Sequence, residues 1–204
     1  MALKNPMINQ QIKNRTIILV LFGMVIIPFA IALLLGGNAP FIGGKMNKGQ
    51  LIAPAIATDR RDLIGLDAFS TDNITELNGH WVMLNVVPEA DCNLVCLEAI
   101  HKTKQLHLML NKDLTRTRRA VIFLKNVTPE KANQWLQDDK VLLRVKPSIA
   151  MAKKITDITN GKLPEGMLLL MDPLGNLMMQ YGQGFDPYKV KSDLMHLLRI
   201  SQIG

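Results

Sequence analysis

Cysteine is scarce in this chain: two residues in 204, Cys92 and Cys96. A disulfide-dense scaffold is therefore excluded, and so is zinc-finger spacing. Aromatic residues make up 5% of the chain, too few to build a stacking platform for bases, and there is no glycine-rich phosphate loop. The first fifty residues hold no acid, only Lys4, Lys13, Arg15, Lys45 and Lys48. Beyond residue 50, nineteen basic residues face seventeen acidic ones, so the net charge of +7 belongs mostly to the N-terminal end. No nucleic-acid partner is implied. Internal repeats and low-complexity tracts are absent as well.

What the N-terminal end does hold is an uncharged run of twenty residues, Thr16 to Leu35. At 1.5 Å per residue, about twenty apolar residues span a ~30 Å hydrocarbon core. Pro28 is tolerated in such a helix, because neighbouring groups and local adjustment satisfy the freed backbone. The h-region of a cleaved signal is shorter, and the only small-x-small site, Gly37-Asn38-Ala39, is followed by Pro40. The run reads as an uncleaved anchor. The cations before it favour the N-terminus inside, which puts the rest of the chain outside the cytoplasm, where disulfides persist. The expected organisation is a cytoplasmic tail over 1–15, an anchor over 16–35, a linker over 36–50 and one globular domain over 51–204. The expected location is the inner (cytoplasmic) membrane, single-pass, with the domain in the periplasm.

The two cysteines stand four apart in Asp91-Cys92-Asn93-Leu94-Val95-Cys96. A nearly continuous apolar run, Trp81 to Val87, precedes them and reads as a buried strand. A helix-like stretch from Leu97 to Leu110 follows. The free N–H groups and dipole of a helix start stabilise a thiolate, the form that attacks disulfides or binds soft metals. The spacing also permits a disulfide, since residues four apart on a helix have Cα atoms roughly 6 Å apart. The bland alternative is a pair of ordinary buried apolar residues.

Further strands are predicted at Ala120–Leu124, Leu142–Val145, Met167–Met171 and Leu177–Tyr181. The last two are joined by the turn Asp172-Pro173-Leu174-Gly175-Asn176. Thr128 and Pro129 open a helix that runs to about Asp139, and Asp186-Pro187 opens one that ends near Ile200. This order predicts an α/β fold, a thioredoxin-like central sheet flanked by helices and preceded by one N-terminal transmembrane helix. The cysteines would lie at the carboxyl edge of the sheet, where open α/β folds place their sites.

The chain resembles the Sco/SenC family, membrane-anchored thioredoxin-like proteins that help assemble cytochrome c oxidase. The resemblance covers roughly residues 50–204 plus the anchor. It rests on the C-x3-C of Cys92 and Cys96, on Leu168 to Gly175, and on the closing segment from Tyr181-Gly182 through Asp186-Pro187 to Ile200. It implies copper as a cofactor, with Cys92 and Cys96 as two ligands and a histidine eight residues before the aspartate of the late turn. Eight before Asp172 stands Pro164, and residues 160–172 contain no histidine. Asn93 also follows the first cysteine where the family usually has proline. Pro164 instead matches the cis-proline that thioredoxin-like oxidoreductases carry opposite their cysteines, or is a plain loop proline.

Among the other soft-ligand candidates, His101, His107 and His196 read as helix-surface residues, and His80 falls at the far end of the sheet. Met167, Met171, Met178 and Met179 read as core packing. Cys92 is expected to be the exposed, attacking thiol and Cys96 the buried, resolving one, with Glu89, Asp91 and Glu98 opposing thiolate formation. Lys102, Lys104, Lys112, Arg116, Arg118 and Arg119 read as a solvated helix end or a docking face.

The expected catalytic residues are thus Cys92, Cys96 and Pro164. The implied partner is a respiratory oxidase subunit or another copper or thiol protein, together with the membrane. Three roles stay open: thiol–disulfide exchange assisting oxidase assembly, Cu(I) delivery, and a redox-inactive module that binds an oxidase subunit.

Overall fold

The computed structural model describes residues 6–38 and 47–201. The chain divides into two units, Met1–Met46 and Asn47–Gly204. The first contains one helix, α1 (Pro6–Asn38), which begins earlier and ends later than the expected span. None of the window Asn14–Ile31 is buried by protein, and the helix is long and apolar enough to cross a membrane. Of the expected linker, residues 39–46 lie outside the described residues.

The second unit is built on a mixed seven-stranded sheet. In chain order its strands are β1 (Gln50–Ala57), β2 (Leu63–Gly65), β3 (Trp81–Val87), β4 (Thr117–Phe123), β5 (Leu143–Pro147), β6 (Met167–Met171) and β7 (Asn176–Tyr181). Their spatial order is β1-β7-β6-β3-β4-β5-β2. β3 and β4 run parallel, as do β4 and β5, whereas β6 lies antiparallel to β3. All seven residues of β3 are buried.

The apolar runs are continuous because both sheet faces are covered, yet the period of two persists beneath them. Val82, Leu84, Val86, Met167, Leu169 and Met171 enter one core cluster, while Trp81, Met83, Leu168 and Leu170 enter another. Of the four strand methionines, Met167, Met171 and Met179 are core residues, as expected, each no more than 1% exposed, whereas Met178 is half-buried and packs against the core.

Five helices cover the sheet: α2 (Ala68–Asn73), α3 (Leu94–Leu108), α4 (Pro129–Leu136), α5 (Ile149–Asp157) and α6 (Pro187–Ile200). Each starts where a side chain meets the unpaired amides of the first turn. Asn93 caps α3, Thr128 caps α4, Ser148 caps α5 and Asp186 caps α6. Proline follows the cap in α4 and α6, where its missing N–H is harmless. In the β6–β7 turn the Asp172 carboxylate accepts from the amides of Leu174 and Asn176 at 2.9 and 2.7 Å. Gly175 takes the positive φ of 97° that this turn requires.

Candidate functional site at the carboxyl edge of the sheet

Strand register decides which loops meet. β3 ends at Val87, and Val86 pairs with Met167 at the start of β6, so the segment before β6 falls beside the segment after β3. Leu168 pairs with Tyr181, which brings Gly182 to Phe185 to the same edge. The amide of Leu124 donates to Val87 O at 3.0 Å and adds the loop after β4.

Pro88, which has no N–H to continue a ladder, follows β3, and the chain turns through Glu89 to Asp91 into the cysteines. Cys92 and Cys96 are joined by a disulfide with Cα atoms 5.3 Å apart. Cys92 lies before the helix rather than on it, because Asn93 is the cap: its Oδ1 accepts from the Cys96 amide at 3.1 Å. The asparagine in the usual proline position thus starts α3 and occupies the amide of the second cysteine.

The expectation of an exposed Cys92 needs correction. Cys92 is 5% exposed and Cys96 1%. Both belong to an apolar cluster with Val87, Ile100, Val121 and Phe123, with Leu97 and Trp135 packed against it. Leu94, between the two cysteines, is in contrast 84% exposed.

Pro164 stands at this edge, in the loop before β6, and lines a groove of about 690 Å³ that also takes in Tyr181 and Phe185. Its peptide bond is trans; the cis bond among the described residues is Ala53–Pro54. The expected cis-proline geometry is therefore absent at Pro164. Two residues on, the loop touches the cysteine helix. A Cβ placed on Gly166 would meet Val95 O at 3.1 Å and Ala99 Cβ at 3.3 Å.

The loop that leads into the cysteines is acidic. Glu89 and Asp91 are exposed beside Cys92. Burial, with Glu89 and Asp91 nearby, pushes the Glu165 carboxyl above the usual carboxylate range. The matching cation is Lys131 of α4, 3.7 Å from Asp91. Lys131 also donates to Ala90 O at 2.8 Å and lies over the Trp135 ring. Glu165 was missed from sequence; its place beside Pro164, at the head of a strand adjoining the cysteine strand, was the signal that could have found it.

Among the described residues no three His, Cys, Asp or Glu side chains come together to hold a metal ion. Reduction would free two sulfurs, but no imidazole joins them. His101 contacts Gln105, and His80 contacts Asn78 O. His107 is half-buried rather than on the surface, and burial with Arg119 nearby lowers its pKa. This donor set does not fit a three-ligand copper centre.

Of the basic run, Lys112 is exposed, while others have partners. Arg119 is buried against Asp139 at 2.7 Å, Arg118 meets Glu76, Lys102 meets Glu98 and Lys104 donates to Asp138 O.

A helix-flanked mixed sheet with a disulfide where its central strand turns into a helix defines a thioredoxin-like protein. A family model described as transmembrane-like, thioredoxin-like, C-terminal domain matches residues 81–201, and the chain belongs to that family. Among solved structures, the apo Sco1 protein from Thermus thermophilus is 14% identical with a TM-score of 0.52, covering 73% of this chain and 95% of that one. Yeast Sco1 is 14% identical with a TM-score of 0.50, covering 62% of this chain and 84% of that one. Copper-bound ScoI from Arabidopsis thaliana is 15% identical with a TM-score of 0.49, covering 62% and 89%. At these identities the likeness is one of fold. Among curated proteins no relative matches.

Proposed function

We propose that this is a membrane-anchored thiol–disulfide protein that assists assembly of a respiratory cytochrome c oxidase, acting through Cys92 and Cys96 from the periplasmic side of the inner membrane. The observation that carries the reading is the Cys92–Cys96 disulfide itself, formed at the carboxyl edge of the central strand beside the Pro164–Gly166 loop. The oxidase role and the location rest on the family resemblance and on the apolar helix α1.

In the exchange reaction the Cys92 thiolate attacks a partner disulfide, and Cys96 resolves the mixed disulfide. Pro164 lines a groove at the same edge of the sheet, and neither cysteine is among the residues lining it. Copper delivery finds less support, because the donor set stops at two sulfurs.

The burial of both cysteines favours a second reading, a structural staple in a module that binds an oxidase subunit. Equilibration of the full-length protein in detergent with glutathione buffers separates the two. Alkylation would read out the Cys92–Cys96 state under native conditions. The exchange reading predicts reversible reduction of the folded protein. A disulfide that yields only after denaturant unfolds the domain would establish the staple.

A further inference from the structure

One shielded group at the edge has no role in the exchange just described. The Oε2 atom of Glu165 is buried and meets no hydrogen-bond partner among the described residues. Buried polar atoms normally find a partner, so an orphan calls for an explanation. The loop that carries it is held close to the cysteines. Gly166, at φ 71°, packs on Val95, the residue before Cys96, so closely that a side chain there would press on Val95 O.

Charged groups reach this edge from several elements: the groove beside Pro164 is also lined by Lys48, Asp186 and Lys189, and the loop after β4 carries the exposed Lys125. The β3–α3 loop supplies Glu89 and Asp91, and α4 supplies Lys131 against Asp91. On α3, Glu98 is already paired with Lys102 at 2.7 Å. Lys162, three residues before Glu165, is exposed. In the loop that leads directly into Cys92, Glu89 and Asp91 are the charged residues, and both are acidic. Burial chiefly, and repulsion from Glu89 and Asp91 after it, hold the Glu165 carboxyl above the usual range.

We infer that Glu165 is a positioning residue of the Cys92–Cys96 couple: its carboxylate, carried next to Gly166, which packs on the first turn of α3, makes the pair an electron donor to partner disulfides. The inference rests on the thiol-exchange reading. A nearby anion disfavours a thiolate, and a destabilised thiolate destabilises the reduced pair. The pair then gives up its electrons readily. The Cys92 thiolate forms a bond to one partner sulfur, and the partner's own S–S bond breaks to leave a thiolate that takes a proton from water. Cys96 then loses its proton to water and bonds to Cys92, and the second partner sulfur leaves as a thiolate. Two electrons pass to the partner, which ends as a dithiol.

The test compares full-length wild type, Glu165→Gln and Glu165→Asp in detergent by glutathione equilibration, with the pH dependence of Cys92 alkylation as a second readout. Glu165→Gln is expected to shift the equilibrium about tenfold toward the dithiol, about 30 mV for a two-electron couple, and to let Cys92 ionise at lower pH. Glu165→Asp should restore part of the shift. The difference from wild type should fade as pH falls through the Glu165 titration. A Gln variant that exchanges normally with an unchanged equilibrium overturns the inference and leaves the exchange reading standing. A wild type that does not exchange at all overturns that reading instead. Should Glu165→Gln fail to fold, the exposed pair Glu89→Gln/Asp91→Asn is expected to shift the equilibrium in the same direction, and no shift there counts equally against the role.

Discussion

On β4 and β5, Arg119 and Arg144 are buried, and each faces one carboxylate: Asp139 at 2.7 Å and Asp67 at 2.8 Å. At the carboxyl edge of β3 the count runs the other way. Glu89 and Asp91, in the loop just before the disulfide, lie near Glu165, and Lys131 pairs with Asp91. Matched charge in the first region serves the fold, because a desolvated ion survives only when paired. Unmatched charge in the second lies where thiols would feel it. The difference teaches where to look for chemistry: at the site whose electrostatics the fold leaves unbalanced.

The comparison can be broken most forcefully at Asp139. Its removal in Asp139→Ala leaves Arg119 charged and buried, at a cost of about 3–5 kcal/mol. Urea unfolding should show that loss, while the thiol–disulfide equilibrium of the folded fraction stays unchanged. A smaller loss is expected on replacing both cysteines by serine. The bridge closes a short loop, and chain entropy assigns it about 2 kcal/mol, measurable as a fall in Tm.

Two carboxylates then give stability profiles of opposite sign. Desolvation opposes ionisation of Asp67, but hydrogen bonds from Ser70 and Arg144 win and its pKa is lowered. Its contribution is present above the unfolded carboxyl pKa and is lost as pH falls through the lower folded value. Burial raises the pKa of Glu165, so its contribution is present at low pH and is lost as pH rises through the folded value. Urea unfolding between about pH 3 and about pH 8 should therefore show Asp67→Asn losing most at the upper end and Glu165→Gln gaining there. The smallest effect is expected of Lys131→Ala. Loss of this half-exposed cation should move Cys92 ionisation to higher pH, opposite to Glu165→Gln, and the shift should vanish at about 1 M salt, where the Debye length falls to about 3 Å.

Much of the frame was legible because its signals are local. Met167–Met171 is a strand with the expected bounds, and Thr128-Pro129 and Asp186-Pro187 open helices as their capping chemistry predicts. β1 escaped because Pro54 interrupts it; the strand is an edge whose register shifts between Leu51 and Ile56, a place where proline is tolerated. α5 had a cap in Ser148 and buried residues at Met151 and Ile155, a signal that was present and not used.

At the site, the cysteine pair and its place in the topology could be read directly from spacing. The burial of Cys92 could not, since it is covered by Phe123, the last residue of β4, and Val127, in the loop after it, both distant in the chain. Nor could the approach of Glu165, which depends on the antiparallel pairing of β6 with β3.

The most direct test of the central claim uses full-length Cys96→Ser protein, folded in detergent and mixed with glutathione disulfide. If Cys92 and Cys96 form an exchanging couple, Cys92 takes up one glutathione as a stable mixed disulfide, seen by mass spectrometry, whereas the reduced wild type passes through the adduct and closes its own bridge. A Cys92 that stays unmodified until the domain is unfolded would contradict the account.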